Sequence, residues 1–214
     1  KTRHYLDPVD LRRFTGFFDL LFYDLEYSGG IVATALIVID MQNFVTDRIN
    51  QGVEMFPDNA ISNMYAILEI FRNCASPVIH IRHHSTDEGS LLHCSSPLSQ
   101  PVAGFEEKYG EPVFVKNTSS AFSSTGLFTY LKKNQISACI VIGAVAGFCI
   151  TSTVRAGSDA GLNMTVIQDA VISFALDGGE PGAKNILDVT LALLAADFAS
   201  VITTKELSER LLSK

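Results

Sequence analysis

The chain has 214 residues, of which 47% are hydrophobic and 18% charged, a composition that fits one folded domain and excludes a disordered chain. Its net charge of −7 argues against a nucleic-acid-binding surface. No apolar run reaches the roughly 18–20 residues that a membrane span requires. We therefore expect neither a nucleic-acid partner nor a membrane partner.

The first thirty residues differ from the rest of the chain. Their apolar side chains recur at helical spacing, at Phe14, Phe17, Phe18, Leu21, Phe22 and Leu25. This spacing predicts an amphipathic helix within an N-terminal extension, residues 1–30, ahead of a single domain at 31–214. The apolar stripe would cover either the domain's own core or a subunit interface.

Strands alternate with helices over the rest of the chain, which predicts βαβ units and a parallel sheet. The predicted helices cover residues 61–75, 127–133, 148–161, 183–198 and the last residues of the chain. The predicted strands cover residues 35–39, 77–81, 112–115, 138–142, 165–167 and 200–202. We expect a three-layer αβα fold with a six-stranded, mostly parallel, Rossmann-like sheet in the order 3-2-1-4-5-6. The polar segment 89–110 is predicted to be a long functional loop.

Three reactive residues stand at the carboxyl ends of predicted strands. Asp40 follows the first strand, Lys116 follows the third, and Cys149 lies shortly after the fourth. Each of them alone is more often structural than functional. Ligands bind outside the carboxyl ends of such strands, where the strand order reverses, and that reversal lies between strands one and four. The three residues together therefore predict a catalytic site at one edge of the sheet.

Four segments of the chain resemble one known family. Residues 40–44 read Asp-Met-Gln-Asn-Phe, and residues 116–127 carry Lys followed by Ser-Ala-Phe, Thr and Leu. Residues 142–156 run from Ile-Gly through Cys149 to a Thr-x-Arg-Ala segment, and residues 168–170 are Gln-Asp-Ala. In this order, over about residues 34–205, they resemble the isochorismatase-like cysteine hydrolases. That resemblance implies a six-stranded parallel sheet, an Asp-Lys-Cys triad and frequent assembly into oligomers.

The residue types indicate a mechanism for such a triad. Cys149 would be the nucleophile, and we expect the helix N-terminus and Lys116 to lower the pKa of its thiol. Asp40 would accept the thiol proton and return it to the leaving amine. The N–H groups of Ala146 and Cys149 are candidates for an oxyanion hole. The resemblance also implies a cis peptide bond between Val145 and Ala146.

Neighbouring side chains are candidates for binding the substrate. The predicted substrate-binding residues are Gln42, Phe44, His83, Phe122 and Phe148. A metal-dependent relative would carry an Asp-x-His motif after the second strand, but residues 81–87 lack it. We therefore predict no metal and no other cofactor.

Four scattered cysteines without a CxxC or CxxH pair argue against a zinc site and favour reduced thiols, as in the cytoplasm.

The predicted function is hydrolysis of a small carboxamide, ureido or carbamoyl compound through a thioester. The alternatives are isochorismatase chemistry, in which a vinyl ether is hydrolysed to release pyruvate, and a catalytically idle binding protein on the same fold. The expected partners are a small-molecule substrate and further copies of the chain, as a dimer or tetramer.

Overall fold

A computed structural model describes residues 33–212 of the chain. The predicted N-terminal helix lies outside this range. The seven strands found there are β1 (Ala33–Ile39), β2 (Met55–Phe56), β3 (Val78–His83), β4 (Val113–Lys116), β5 (Ile136–Ala144), β6 (Asn163–Phe174) and β7 (Ser200–Ile202). The helices are α1 (Asn43–Asn50), α2 (Ala60–Asn73), α3 (Leu127–Lys133), α4 (Thr151–Asp159), α5 (Ala183–Asp197) and α6 (Thr204–Leu212). None of these helices has both the length and the apolar character that crossing a membrane requires.

Six parallel strands form the sheet in the order β4-β3-β1-β5-β6-β7. Numbered along the chain as the six predicted strands, this is the order 3-2-1-4-5-6, so the predicted topology is confirmed. The short strand β2 was not predicted, and it pairs antiparallel with the far end of β6. The order reverses between β1 and β5, which places the carboxyl ends of these two strands side by side.

Alternating side chains of β1 separate the two faces of the sheet. Leu36 and Val38 pack into one apolar cluster with α2, whereas Ala35, Ile37 and Ile39 pack into a second cluster with α3, α4 and α5. Because residues alternate across a strand, a strand that is buried on both faces must be apolar throughout. The predicted three-layer αβα architecture is therefore confirmed.

Several element boundaries differ from the prediction where polar residues interrupt an apolar pattern. Strand β6 continues past Gln168 and Asp169 to Phe174, because a register shift against β5 after Val141 lets the pairing resume. The predicted helix from residue 148 begins instead at Thr151, after a π-helical turn over Ala146–Ile150.

The predicted position of the cis peptide bond is wrong by one residue. The bond lies between Ala144 and Val145 rather than between Val145 and Ala146. Strand β5 keeps its pairing with β6 through Ala144, so the departure from extended geometry occurs at the peptide that follows.

Candidate active site

Asp40 lies where β1 leaves the sheet. Its N–H donates to the Ile81 carbonyl of β3 at 2.9 Å, and its backbone then turns into the left-handed region with a φ of 52°. This conformation is uncommon for a non-glycine residue and tends to occur at functional sites. The turn has room because β5 carries Gly143 beside it, where a Cβ atom would lie 2.1 Å from the Ile39 carbonyl oxygen.

Lys116, the last residue of β4, is fully buried. Its Nζ lies 2.8 Å from Asp40 Oδ2, 3.0 Å from His83 Nδ1 and 3.2 Å from Cys149 Sγ. A buried ammonium is stable only when partners replace its water, and these three groups do so. Lys116 therefore links the carboxylate, the imidazole and the thiol that the fold brings together.

Cys149 lies in the π-helical turn that precedes α4. Burial and the Asp40 carboxylate raise the pKa of its thiol to about 12, and Lys116 opposes this shift without overcoming it. The expectation of a lowered pKa is therefore wrong, because the thiol is desolvated and faces an anion as well as a cation. With a pKa of about 12, Cys149 carries its proton at neutral pH.

His83 is the last residue of β3 and lies in register with Lys116. Burial, followed by the charge of Lys116, lowers the pKa of His83, so the ring is neutral at pH 7. Its Nδ1 lies 3.0 Å from the ammonium, so it accepts a hydrogen bond from Lys116.

Asp40, His83 and Cys149 form a group with metal-ligand chemistry. One ligand atom from each residue lies within 4.8 Å of the other two. All three of these residues, however, contact the Lys116 ammonium. A cation bound by the three groups would have to displace Lys116 or bind on the far side of them, so the donor set fits a metal poorly.

A cavity of about 380 Å³ opens onto Asp40, His83 and Cys149. Its volume falls within the roughly 300–1,000 Å³ typical of small-molecule sites. Most of its wall is apolar, formed by Phe44, Val45, Leu92, Val145, Phe148 and Phe174. The reactive groups therefore face a space suited to a small, partly apolar ligand.

Comparison with known proteins places this chain in one family. The family model of the isochorismatase domain matches residues 34–206, which is most of the chain. This chain belongs to the isochorismatase family. It is an isochorismatase-family hydrolase, as the sequence motifs predicted.

Relatives of this isochorismatase-family hydrolase include the isochorismatase family protein YrdC of Bacillus subtilis. The two proteins are 30% identical over 179 residues, which cover 81% of this chain and 93% of YrdC. The secreted isochorismatase effector Isc1 of Verticillium dahliae is 26% identical over 146 residues, or 68% of this chain and 76% of that protein.

Solved structures share its fold. An isochorismatase from Pseudomonas putida KT2440 has a TM-score of 0.72 at 28% identity, covering 81% of this chain and 89% of that one. A cysteine hydrolase from Pseudomonas syringae pv. phaseolicola has a TM-score of 0.77 at 22% identity, covering 88% and 96%.

Gln42, a predicted substrate-binding residue, lines the cavity of this family member. Its side-chain amide, however, forms hydrogen bonds to backbone groups around the site. Its Nε2 donates to the carbonyls of His83 at 3.0 Å and Ser99 at 2.6 Å, and its Oε1 accepts from the His83 N–H at 2.8 Å. Gln42 thus ties the end of β1 to the end of β3 and to the loop that precedes β4.

Only two of the three phenylalanines predicted to bind the substrate line the cavity. Phe44 and Phe148 line the cavity, and Phe148 is 55% exposed. Phe122 lies away from the cavity and packs edge-to-face against Phe128, with ring centroids 6.4 Å apart. The Ala121 N–H donates to Thr153 Oγ1 of α4 at 3.0 Å, which holds this segment against α4 and turns Phe122 from the site.

The cavity residues of this isochorismatase-family hydrolase that sequence reasoning missed include Arg48, Leu92 and Phe174. Arg48 lies four residues after Phe44 on α1. A helix predicted there would have placed both side chains on the same face. Leu92 belongs to the long loop, which has no period. Phe174 reaches the site only because β6 extends beyond its predicted end.

Proposed function

We propose that this isochorismatase-family hydrolase is a cysteine-dependent amidohydrolase that cleaves a small carboxamide, ureido or carbamoyl compound. Cys149 is the nucleophile, Asp40 the general base and acid, and Lys116 the cation that keeps Asp40 ionised and stabilises the thiolate as it forms. A neutral substrate carbonyl enters the cavity and meets the thiol at the junction of β1 and β5.

One observation carries this proposal: the same Lys116 ammonium contacts both Asp40 Oδ2 and Cys149 Sγ. The other carboxylate oxygen, Asp40 Oδ1, is buried without a hydrogen-bond partner. Buried acceptors are normally satisfied, so an unpartnered one in a site is a candidate proton acceptor. Burial also raises the pKa of Asp40, although Lys116 opposes it, and this makes the carboxylate a stronger base.

The reaction proceeds in two halves. Cys149 Sγ bonds to the carbonyl carbon while its proton moves to Asp40, and the carbonyl oxygen becomes an oxyanion. The oxyanion then collapses, the C–N bond breaks, and Asp40 returns the proton to the departing amine, leaving a thioester. Water next attacks the thioester with Asp40 as its base, which releases the acid and restores the thiol.

The developing oxyanion needs donors, and we assign them to the N–H groups of Ala146 and Cys149. Neither N–H donates to a described carbonyl outside its own turn. Lys116 is committed to its three partners and is not needed for this role. Fixed backbone donors are effective there because they require no reorganisation during the reaction.

Isochorismatase chemistry is the second candidate. Protonation of a vinyl ether needs a general acid and no nucleophile, and the raised pKa of Asp40 also suits an acid. The two chemistries differ in what they require of Cys149, which makes them separable by substitution.

The test measures ammonia from a panel of small amides and ureido acids, and pyruvate from isochorismate. Wild-type protein is compared with Cys149→Ala, Cys149→Ser and Asp40→Asn, and Cys94→Ala is the matched cysteine control because Cys94 is exposed and outside the cavity. We expect ammonia release that Cys149→Ala abolishes and Cys94→Ala preserves. Cys149→Ser should slow turnover or accumulate an acyl-enzyme detectable by mass spectrometry.

Pyruvate release that survives Cys149→Ala and is lost in Asp40→Asn would overturn the amidohydrolase proposal in favour of the second candidate. Absence of both products across the panel, with folded protein, would favour an idle binding protein instead.

A further inference from the structure

Arg48 places a positive charge in the wall of the cavity. It lies on α1 one helical turn after Phe44, and both side chains line the same space. The Arg48 guanidinium carbon is 5.8 Å from the centre of the Phe44 ring and 5.1 Å from that of Phe174. The two aromatic rings hold the guanidinium by cation–π contact and help to fix its position.

This guanidinium has hydrogen-bonding capacity that the described residues do not use. Arg48 Nε is buried and has no hydrogen-bond partner, and no acidic residue of the described chain forms an ion pair with Arg48. A buried donor without a protein acceptor is rare, and a molecule bound in the cavity can supply the missing acceptor. The donors of Arg48 are therefore available to a molecule in the cavity.

The other charges of the cavity do not neutralise Arg48. Asp40 is paired with Lys116, and burial together with Lys116 lowers the pKa of His83 so that it stays neutral. Asp177 lines the cavity but is exposed to solvent and makes no ion pair with Arg48. A ligand that brought a negative charge beside Arg48 would pair with a guanidinium that no carboxylate of residues 33–212 pairs with.

We propose that Arg48 is a specificity-determining residue that binds a carboxylate of the substrate. The inference rests on the proposed function, since the amide carbonyl must reach Cys149 while the carboxylate reaches Arg48. A planar guanidinium offers parallel N–H donors that match the two oxygens of a carboxylate. The substrate class is therefore a small amide or ureido compound with a free carboxylate, whose carbon chain lies against Phe44 and Phe174.

The experiment uses pairs of probes that differ only in charge. Malonamic, succinamic and glutaramic acids each carry one amide and one carboxylate, and malonamide, succinamide and glutaramide are their neutral diamide partners. Ammonia release is measured for wild type, Arg48→Met and Arg48→Lys. Arg155→Met is the matched control, because Arg155 also stacks on an aromatic ring, 4.2 Å from Phe198, but does not line the cavity.

Loss of a charged, bidentate contact should raise KM for the preferred acid amide roughly 10- to 100-fold in Arg48→Met, with kcat changed much less. The diamides should be poor substrates of wild type and should not respond to the substitution. The KM of Arg48→Lys should lie between those of wild type and Arg48→Met, because lysine keeps the charge but lacks the planar pair of N–H donors. Arg155→Met should match wild type throughout.

Binding to Cys149→Ala protein, measured by calorimetry, separates this inference from the proposed function. Ammonia release with equal preference for acid amides and diamides, unchanged in Arg48→Met, would overturn the role of Arg48 and leave the amidohydrolase intact. Binding of acid amides that depends on Arg48, without ammonia release by wild type, would support the carboxylate site and refute the proposed reaction. If no carboxylated probe binds or reacts better than its neutral partner, the inference is wrong.

Discussion

The Lys116 ammonium is buried against the Asp40 carboxylate, with Nζ 2.8 Å from Oδ2, although the two residues lie at the ends of strands that are not neighbours. Strand β3 separates β1 from β4, so the long lysine side chain passes the end of β3 and contacts His83 there. The ion pair thus joins three strands at the edge where Cys149 lies. Its removal has consequences for both stability and chemistry.

Replacing Lys116 with Met should lower the free energy of unfolding by about 3 kcal/mol, because it leaves a buried carboxylate without its cation. Adding Asp40→Asn should recover part of this loss, as urea denaturation of both single variants and the double variant would measure. Burial raises the pKa of Asp40 above its ordinary value of 3.8, and loss of Lys116 raises it further. The folded state then binds more protons than the unfolded state, so the stability of Lys116→Met should fall as pH rises from about 4 through the raised pKa. Strictly additive losses in the double variant would contradict the coupling.

Alkylation of Cys149 should show no reactive thiolate at neutral pH. Burial and Asp40 raise the pKa of this thiol to about 12. Only the thiolate reacts, so the rate of carbamidomethylation by iodoacetamide should rise roughly tenfold per pH unit through pH 10. Peptide mass spectrometry after brief labelling measures the rate at Cys149 separately from the other cysteines. A plateau reached below pH 8 would show that the thiol is activated before substrate binds.

The fall of kcat/KM at low pH, its acid limb, should report the protonation of the Asp40 carboxylate. Catalysis needs this carboxylate ionised, and burial raises its pKa, with Lys116 acting against the shift. Activity should therefore be lost on acidification at a pH above the ordinary carboxyl pKa of 3.8. His83→Asn tests the assignment, because the asparagine oxygen can replace Nδ1 as acceptor for Lys116. The acid limb should persist in this variant with a modest shift of its midpoint pH. Its disappearance would show that the limb reports His83 instead of Asp40.

Chelation should leave ammonia release unchanged. Asp40, His83 and Cys149 could supply metal ligands, but each of them already contacts the Lys116 ammonium. Turnover would be compared before and after dialysis against a strong chelator, with metal content measured on the same samples. Activity lost on dialysis and restored by zinc, manganese or iron would establish a metal-dependent mechanism.

Gly143→Ala should destabilise the fold by at least about 3 kcal/mol, because the new methyl group would meet the backbone of β1 and the residue would keep a strained conformation. The φ of Gly143 is +124°, and a Cβ atom there would lie 2.1 Å from the Ile39 carbonyl oxygen. Gly89→Ala is the control, since its Cβ would have only an ordinary contact, 3.4 Å from Asp87 Oδ1. That control should change the free energy of unfolding by less than about 0.5 kcal/mol. Equal urea midpoints for the two variants would refute the role of Gly143.

The strand order and the meeting of the three reactive residues follow from local signals in the sequence. Buried parallel strands must be apolar on both faces, so β1, β3 and β5 stand out from the helices between them. Residues at the carboxyl ends of such strands, or shortly after them, share one edge of the sheet, which is why the proximity of Asp40, Lys116 and Cys149 was predictable. The cavity wall was less predictable, because α1 is only eight residues long and mostly polar, and β6 continues through two polar residues.

Tertiary structure alone decided the electrostatics and the shape of the site. The pKa of Cys149 depends on the balance between burial, the Asp40 carboxylate and the Lys116 ammonium, and residue types do not contain that balance. The place of Arg48 between Phe44 and Phe174 depends on α1 packing beside the extended end of β6, more than one hundred residues later in the chain. Sequence patterns set where each strand ends because burial acts on every residue locally, whereas charge interactions and cavity walls depend on which distant segments the fold brings into contact.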